Sequence, residues 1–290
     1  MKGLKRYLIL PNPTKDIGHC VTKELVKSLQ TLGGIIMFDD ADADIARSLG
    51  CQTVSNCDAP PECLIVIGGD GTVIDAVKVA IHWNIPLVGV NMGHLGYLAE
   101  MEHNDLTWLE RLMKGDYAIA KRMMLSLKVH QTTGECTLLN RCALNEICLR
   151  ADHAMGIGDL TLEDNAGNKI RFRGDGLILA TPSGSTAYSF SAGGPVIDPA
   201  IDAICVTPIC PHSFFNRAMI LGPNTVVDVA NTSKKTPMQV SIDGRDALAV
   251  LPSERITVAM AKERLQMITF GDIPTFTTLR RKMELAEMKD

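Results

Sequence analysis

The chain has no Cys-x-x-Cys pair, and its nine cysteines are an odd number. Neither a disulfide framework nor a zinc knuckle is indicated, and a reducing cytoplasm is implied. The even spacing of Cys51, Cys57 and Cys63, and of Cys136, Cys142 and Cys148, is read as coincidence. No apolar run approaches membrane-spanning length. The opening MKGLKRYLILPNP holds only Tyr7 to Leu10 as an apolar core before Pro11 and Pro13, too short for a secretory signal. A long basic run is also missing, and with a net charge of -4 and a pI near 6.0 this argues against nonspecific nucleic-acid or anionic-membrane binding. Any polyanionic ligand must be met by local positive charge. No internal repeat or low-complexity segment appears. What is present is an ordinary globular balance over 290 residues, with 46% hydrophobic and 21% charged residues, long enough for two domains.

The chain is organised around residues 63–77, CLIVIGGDGTVIDAV. The apolar run from Cys63 to Ile67 has the texture of a strand buried on both faces, and Val73, Val77 and Ala80 recur at helical spacing. Between them Gly68, Gly69 and Gly71 permit a sharp bend and close approach to a ligand, with the helix's opening amides suited to phosphate. Asp70 sits among those donors, where its charge would repel a phosphate unless a metal or a substrate hydroxyl intervened. An isolated glycine turn with an Asp capping a helix would read the same way. The P-loop pattern is absent, because no Lys followed by Ser or Thr comes after the second glycine. The dinucleotide fingerprint is absent too, because Ile74 stands where Gly or Ala is required.

Strand and helix alternate from Tyr7 to Met113. Tyr7 to Leu10 is a first strand, and Ile17, Val21, Leu25, Leu29 and Leu32 mark a helix face. Ile35 to Phe38 is a second strand, a short helix spans Ala43 to Leu49, and Pro86 to Val90 is a strand after the central helix. This predicts an α/β domain with an open, mostly parallel sheet whose ligands bind beyond the strands' carboxyl ends. NMGHLG, from Asn91, follows one such end and is a candidate second wall. After Lys121 and Arg122 short alternating segments take over. LSLKVH, ALNEICLR, DLTLED, KIRF, GLILAT, TVVDVA, MQVSID, RITVAM and LQMITF read as antiparallel strands of a β-rich, sandwich-like domain, with a hairpin turn at DNAGN. The expected domains are 1–122 and 123–270, with a terminal helix through Phe276, Leu279, Met283 and Ala286 (271–290) packing back on the first.

Three further stretches carry polar chemistry. Asn145 and Glu146 stand inside the apolar segment ALNEICL, where they need partners. RFRGDGLILATPSGSTAYSFSAGGPV then places a line of small hydroxyls and glycines after a hydrophobic strand, with Tyr188 as a flat face for a ring to stack on. PHSFFNR follows from Pro211. GGDGT by itself resembles the motif of NAD kinases, shared more loosely with diacylglycerol and sphingosine kinases and with 6-phosphofructokinases. Joined by the Asn-Glu pair, the DG, TPSGSTAYS and AGGP order and PHSFFNR, the resemblance to the NAD kinase family covers nearly the whole chain. Lipid kinases would be expected to follow GGDGT with Asn and Glu, where Ile74 and Asp75 stand here.

The resemblance implies an ATP-dependent phosphotransferase that phosphorylates the 2'-hydroxyl of the adenosine ribose of NAD. It implies Asp70 as general base and Gly68, Gly69, Gly71 and Thr72 as the phosphate-cradling loop, Gly71 also touching the dinucleotide. Asn145 and Glu146 match the pair holding adenine and ribose, and Arg173 and Asp175 match positions near the nicotinamide. Thr186, Ala187, Tyr188 and Ser191 match the loop beneath the substrate. Asp243 matches a late strand-end Asp usually followed by Gly-Gln; here Arg245 replaces the Gln, and it is carried over as a substrate contact. No metal site built from protein residues is expected, magnesium arriving on ATP. A cytoplasmic homo-oligomer, dimer or tetramer, is implied, with no nucleic-acid or membrane partner. A lipid kinase and a noncatalytic nucleotide sensor are the alternative readings.

Overall fold

The computed structural model describes residues 3, 5–93, 96–99, 101–138, 142–152, 156–212, 216–271, 277, 279 and 280. Two compact units emerge, one of residues 1–121 with 265–290 and one of residues 122–264.

The first unit is built on β1 (Arg6–Pro11), β2 (Ile35–Phe38), β3 (Gln52–Thr53), β4 (Cys63–Gly68), β5 (Leu87–Asn91), β6 (Met101–Glu102) and β7 (Ala118–Arg122). Between them run α1 (Cys20–Thr31), α2 (Ala43–Ser48), α3 (Asp70–Trp83) and α4 (Trp108–Lys114). Strands β3, β2, β1, β4 and β5 lie side by side in that order, every pair parallel. All residues of β4 are buried, as an apolar strand covered on both faces requires. Asp16 starts α1 by accepting the amides of Val21 and Thr22. The helix face begins later than expected. Gly18 and His19 are left-handed, so Ile17 falls outside α1 and is 80% exposed. Leu25, Val26 and Leu29 form the buried face, and Leu32 lies beyond the last turn.

The second unit comprises β8 (Leu125–His130), β9 (Cys136–Leu138), β10 (Glu146–Ala151), β11 (Gly158–Asp164), β12 (Lys169–Ala180), β13 (Ile204–Pro211), β14 (Met219–Leu221), β15 (Val227–Asn231), β16 (Met238–Ile242), β17 (Arg245–Val250) and β18 (Arg255–Met260), with the short α5 (Tyr188–Ser191). The paired strands are antiparallel and run in the order β17-β16-β10-β12-β11-β15-β18-β8-β9, with β13 added to β12 and β14 to β13. KIRF and GLILAT, read as two strands, are one. The first half of β12 pairs with β11, and its second half with β10 and β13. Gly174 and Gly176 make the changeover possible. A Cβ at Gly176 would stand 2.4 Å from the Leu149 carbonyl oxygen, and one at Gly174 2.6 Å from the Phe172 ring. Leu127, Ile147, Leu149, Leu177, Leu179, Val206, Val240 and Ile256 belong to its core.

LQMITF is a correction to the sequence reading. Its core, β19 (Leu265–Thr269), leaves the β-rich unit and enters the first sheet between β5 and β7, parallel to β5. Its apolar pattern suits either sheet, and Met267 and Ile268 are buried in the α/β unit. The expected terminal helix falls mostly outside the described residues, as do His94 and Leu95 of NMGHLG and residues 213–215 of PHSFFNR. Among the described residues no helix is long and apolar enough to cross a membrane.

Candidate active site

In the first unit the GGDGT segment is the junction of β4 and α3, at the carboxyl end of a central parallel strand. Gly68 is required sterically, because a Cβ there would meet Thr72 Oγ1 at 2.3 Å. Thr72 closes the turn, its Oγ1 accepting from Asn12 Nδ2 at 2.8 Å and from the Gly69 amide at 3.4 Å. At Gly71 a Cβ would meet nothing within 4 Å, so the chain's own packing does not demand glycine there.

Asp70 opens α3, but the amides that hold its side chain are not those of the glycine loop. Tyr97 N donates to Oδ2 at 2.8 Å, and Leu98 N and Ala99 N donate to Oδ1 at 2.9 and 3.2 Å. These donors follow β5 and the NMGHLG segment. Gly96 lets the backbone come this close, since a Cβ there would lie 2.1 Å from Asp70 Oδ1. An ionised carboxylate has about four lone-pair positions, and three face these amides. The result is an anion fixed in orientation at a helix N-terminus, where the helix dipole favours it.

In the second unit a second carboxylate does similar work. Asp243 accepts from the amides of Leu144, Asn145 and Glu146 at 2.9, 2.8 and 3.0 Å, and its own amide donates to the Glu146 carbonyl at 2.9 Å. Asp243 and Gly244 both have positive φ, 49° and 72°, as the tight hairpin between β16 and β17 requires. Arg245 follows that turn directly and pairs with Ile242 across it. TPSGST closes on the Asn145 backbone from the other side. The Thr181 amide donates to the Asn145 carbonyl at 2.8 Å, and Thr181 Oγ1 donates to the Leu144 carbonyl at 2.5 Å. A Cβ on Gly184 would be 2.0 Å from the Asn145 carbonyl oxygen.

Glu146 is buried, and its Oε2 has no hydrogen-bond partner. Burial, with the Asp243 charge beside it, pushes its carboxyl up to about 7. The folded carboxyl therefore holds its proton more tightly than the unfolded one. Its contribution to stability is fully present below the unfolded value of 4.5 and is lost as pH rises through about 7. Thermal melts of wild type and Glu146→Gln between pH 5 and pH 8 test this. The wild type should lose melting temperature relative to the variant across that range, and parallel curves would refute the assignment.

Thr186, Ala187, Tyr188 and Ser191 lie along a 3-10 turn (Ser183–Thr186) and α5. Tyr188 packs against a buried cluster that includes Cys148, Ile178 and Cys205. Its hydroxyl pKa is raised by burial, which outweighs the opposing charge of Arg150. Arg173 has a cross-strand partner, Asp159, at 3.7 Å, and is 60% exposed. Ser191 is exposed, whereas Ser189 is buried and bonded to Thr207 at 2.8 Å.

Two groups absent from the sequence reading stand at the first site. Asn12 ties the turn after β1 to Thr72, and Lys15 lies over Gly69. Their signal was position, since PNPTK follows a strand end that the parallel-sheet argument already marked as a ligand edge. Among the described residues no three His, Cys, Asp or Glu side chains gather as a metal site.

An open parallel sheet with a glycine loop and a fixed carboxylate at a strand end, followed in the chain by an antiparallel β unit, is an arrangement suited to a phosphate-bearing ligand. The profile of the ATP-NAD kinase N-terminal domain matches residues 19–117, and that of the C-terminal domain matches residues 144–270. The chain is 32% identical to the NAD kinase of Symbiobacterium thermophilum over 287 residues, covering 97% of this chain and 99% of that protein. The chain belongs to the NAD kinase family. Among solved structures its fold is shared with yeast NADH kinase complexed with NADH, at TM-score 0.81 and 20% identity over 98% of this chain and 89% of that one. It is shared as well with an Archaeoglobus fulgidus NAD kinase in complex with ATP, at TM-score 0.71 and 21% identity over 95% and 99%.

Proposed function

We propose that this enzyme transfers the γ-phosphoryl group of ATP to the 2'-hydroxyl of the adenosine ribose of NAD, giving NADP and ADP. The observation that carries the reading is the Asp70 carboxylate, fixed by three amides at the N-terminus of α3. Asp70 accepts the proton of the attacking hydroxyl, a role that contributes about 10² to 10⁴ in rate. Phosphoryl transfer proceeds through a loose transition state, so the remaining work is alignment and charge neutralisation. Gly68, Gly69, Gly71 and Thr72 face the ATP phosphates, where the open space at Gly71 admits a ligand. Among the described residues no cluster of His, Cys, Asp or Glu side chains forms a cage for a metal. Magnesium belongs with the substrate as MgATP and lowers the phosphate charge there.

The dinucleotide is held by Gly71, Asn145, Glu146, Arg173, Asp175, Thr186, Ala187, Tyr188, Ser191 and Arg245. Asn145 and Glu146 have their backbone set by Asp243, which supports their assignment to a substrate that needs fixed geometry. The enzyme works in the cytoplasm as a homo-oligomer, a dimer or tetramer. Incubation of the pure protein with NAD and MgATP, coupled to an NADP-specific dehydrogenase, tests the reading. Formation of NADP supports it. ATP binding without NADP formation would favour a nucleotide sensor, and phosphorylation of diacylglycerol instead a lipid kinase.

A further inference from the structure

Lys15 is exposed, yet its position is set by the fold. The Asn12 amide donates to the Ile67 carbonyl at 2.9 Å, the Asn12 side chain donates to Thr72, and the Lys15 amide donates to the Asn12 carbonyl at 3.1 Å. Thr14 caps the same turn, its amide and hydroxyl both donating to Asn12 Oδ1. This short, pinned turn delivers the lysine to the glycine loop. A Cβ built on Gly69 would lie 2.5 Å from Lys15 Nζ, so the missing side chain at Gly69 is the space the ammonium occupies. Gly69 is also the N-cap of α3. A cation beside the positive end of a helix is unfavourable by itself. Among the described residues Lys15 makes no ion pair that would offset this, and the Asp70 carboxylate is turned to residues 97–99. The ammonium and the helix end instead converge on one place, and a phosphate chain there would satisfy both.

We infer that Lys15 is a phosphate-binding residue of the kinase, its ammonium seated in the space left by Gly69 and directed at the triphosphate of ATP. The inference rests on the proposed kinase reading for its ligand. It explains how an acidic chain supplies local positive charge to a polyanion, and it makes Gly69 a residue of fit. The dinucleotide pyrophosphate carries the same chemistry. Lys15 lies against Gly69, the residue that precedes the proposed base Asp70, which favours ATP.

The experiment uses the full chain as wild type, Lys15→Ala, Lys15→Arg, Gly69→Ala and the double variant Lys15→Ala/Gly69→Ala. Circular dichroism and melting temperature serve as fold controls. Calorimetric binding of ATP, competition by inorganic tripolyphosphate, and separate Michaelis constants for ATP and NAD are measured. Lys15→Ala should weaken ATP and tripolyphosphate by about 10- to 100-fold, the range of a charge-assisted hydrogen bond, while the constant for NAD stays within about twofold. Lys15→Arg should restore part of the loss. Gly69→Ala should give a smaller loss in the same direction, because the exposed lysine can shift, and the double variant should be little worse than Lys15→Ala alone, because both changes act on one interaction. Unchanged ATP and tripolyphosphate binding in Lys15→Ala would overturn the inference, as would a rise confined to the NAD constant. A wild type that makes no NADP would overturn the kinase reading instead, and the tripolyphosphate titration would still decide the role of Lys15.

Discussion

Asp70→Asn is expected to lower turnover by roughly 10² to 10⁴ while the protein stays folded and still binds NAD. The size follows from losing the proton acceptor alone, with the glycine loop and α3 left in place. The structure adds a second consequence. Asp70 accepts amides on both oxygens, so an asparagine must turn its NH₂ toward at least one donor among residues 97–99. A modest fall in melting temperature should accompany the loss of rate, about 1 to 3 kcal/mol for a buried donor left unmet. Gly96→Ala separates the two effects, because it keeps the carboxylate but presses a methyl group against Oδ1. Full activity in Asp70→Asn would remove the base assignment. A wild-type profile without a fall in rate as an acidic group becomes protonated would assign Asp70 to anchoring rather than to proton transfer.

Gly184→Ala should be the most damaging single methyl group in the second unit. Its Cβ would lie 2.0, 2.4 and 2.6 Å from the carbonyl oxygen, carbonyl carbon and Cα of Asn145. These are backbone atoms and cannot rotate away. The turn is held from below by Asp243 and from the side by Thr181, so relief requires breaking one of those sets. Overpacking of this kind costs about 1 to 3 kcal/mol and at times more. Displacing Asn145 and Glu146 by even about 1 Å should lower kcat/KM for NAD by about 10², with the constant for ATP little changed. Melting curves and paired kinetics check both parts. A variant with normal stability and normal NAD kinetics would show that the turn yields freely and that Asn145 does not depend on it.

Much of the fold was readable because its signals are local. The apolar run of β4, the glycines after it and the helical spacing of Val73, Val77 and Ala80 define a strand, turn and helix without any distant contact. The alternation of such units implies a parallel sheet, and the structure has one. What stayed hidden depends on partners far along the chain. Leu265–Thr269 has the texture of its antiparallel neighbours, and only the sheet it enters distinguishes it. The break before α1 turned on the left-handed backbone of His19, an ordinary residue for a helix. The site was readable as a set of side chains, and the structure adds the groups that aim them. Backbone amides of residues 97–99 and 144–146 leave no mark in composition or spacing. The lysine over Gly69 is one of many surface lysines until the turn at Asn12 is seen.

The return of β19 to the first sheet fixes an order of events during synthesis. The strand that lies between β5 and β7 is made only after every strand of the second unit, so the α/β unit waits incomplete while the β-rich unit, contiguous in sequence, can close by itself. In that interval β5 and β7 lack their shared neighbour, and β5 runs straight into the loop that will carry the Asp70 anchors. A nascent chain halted before residue 265 would expose an apolar edge. The sheet under the glycine loop therefore cannot be complete until the last strand of the described chain has been made.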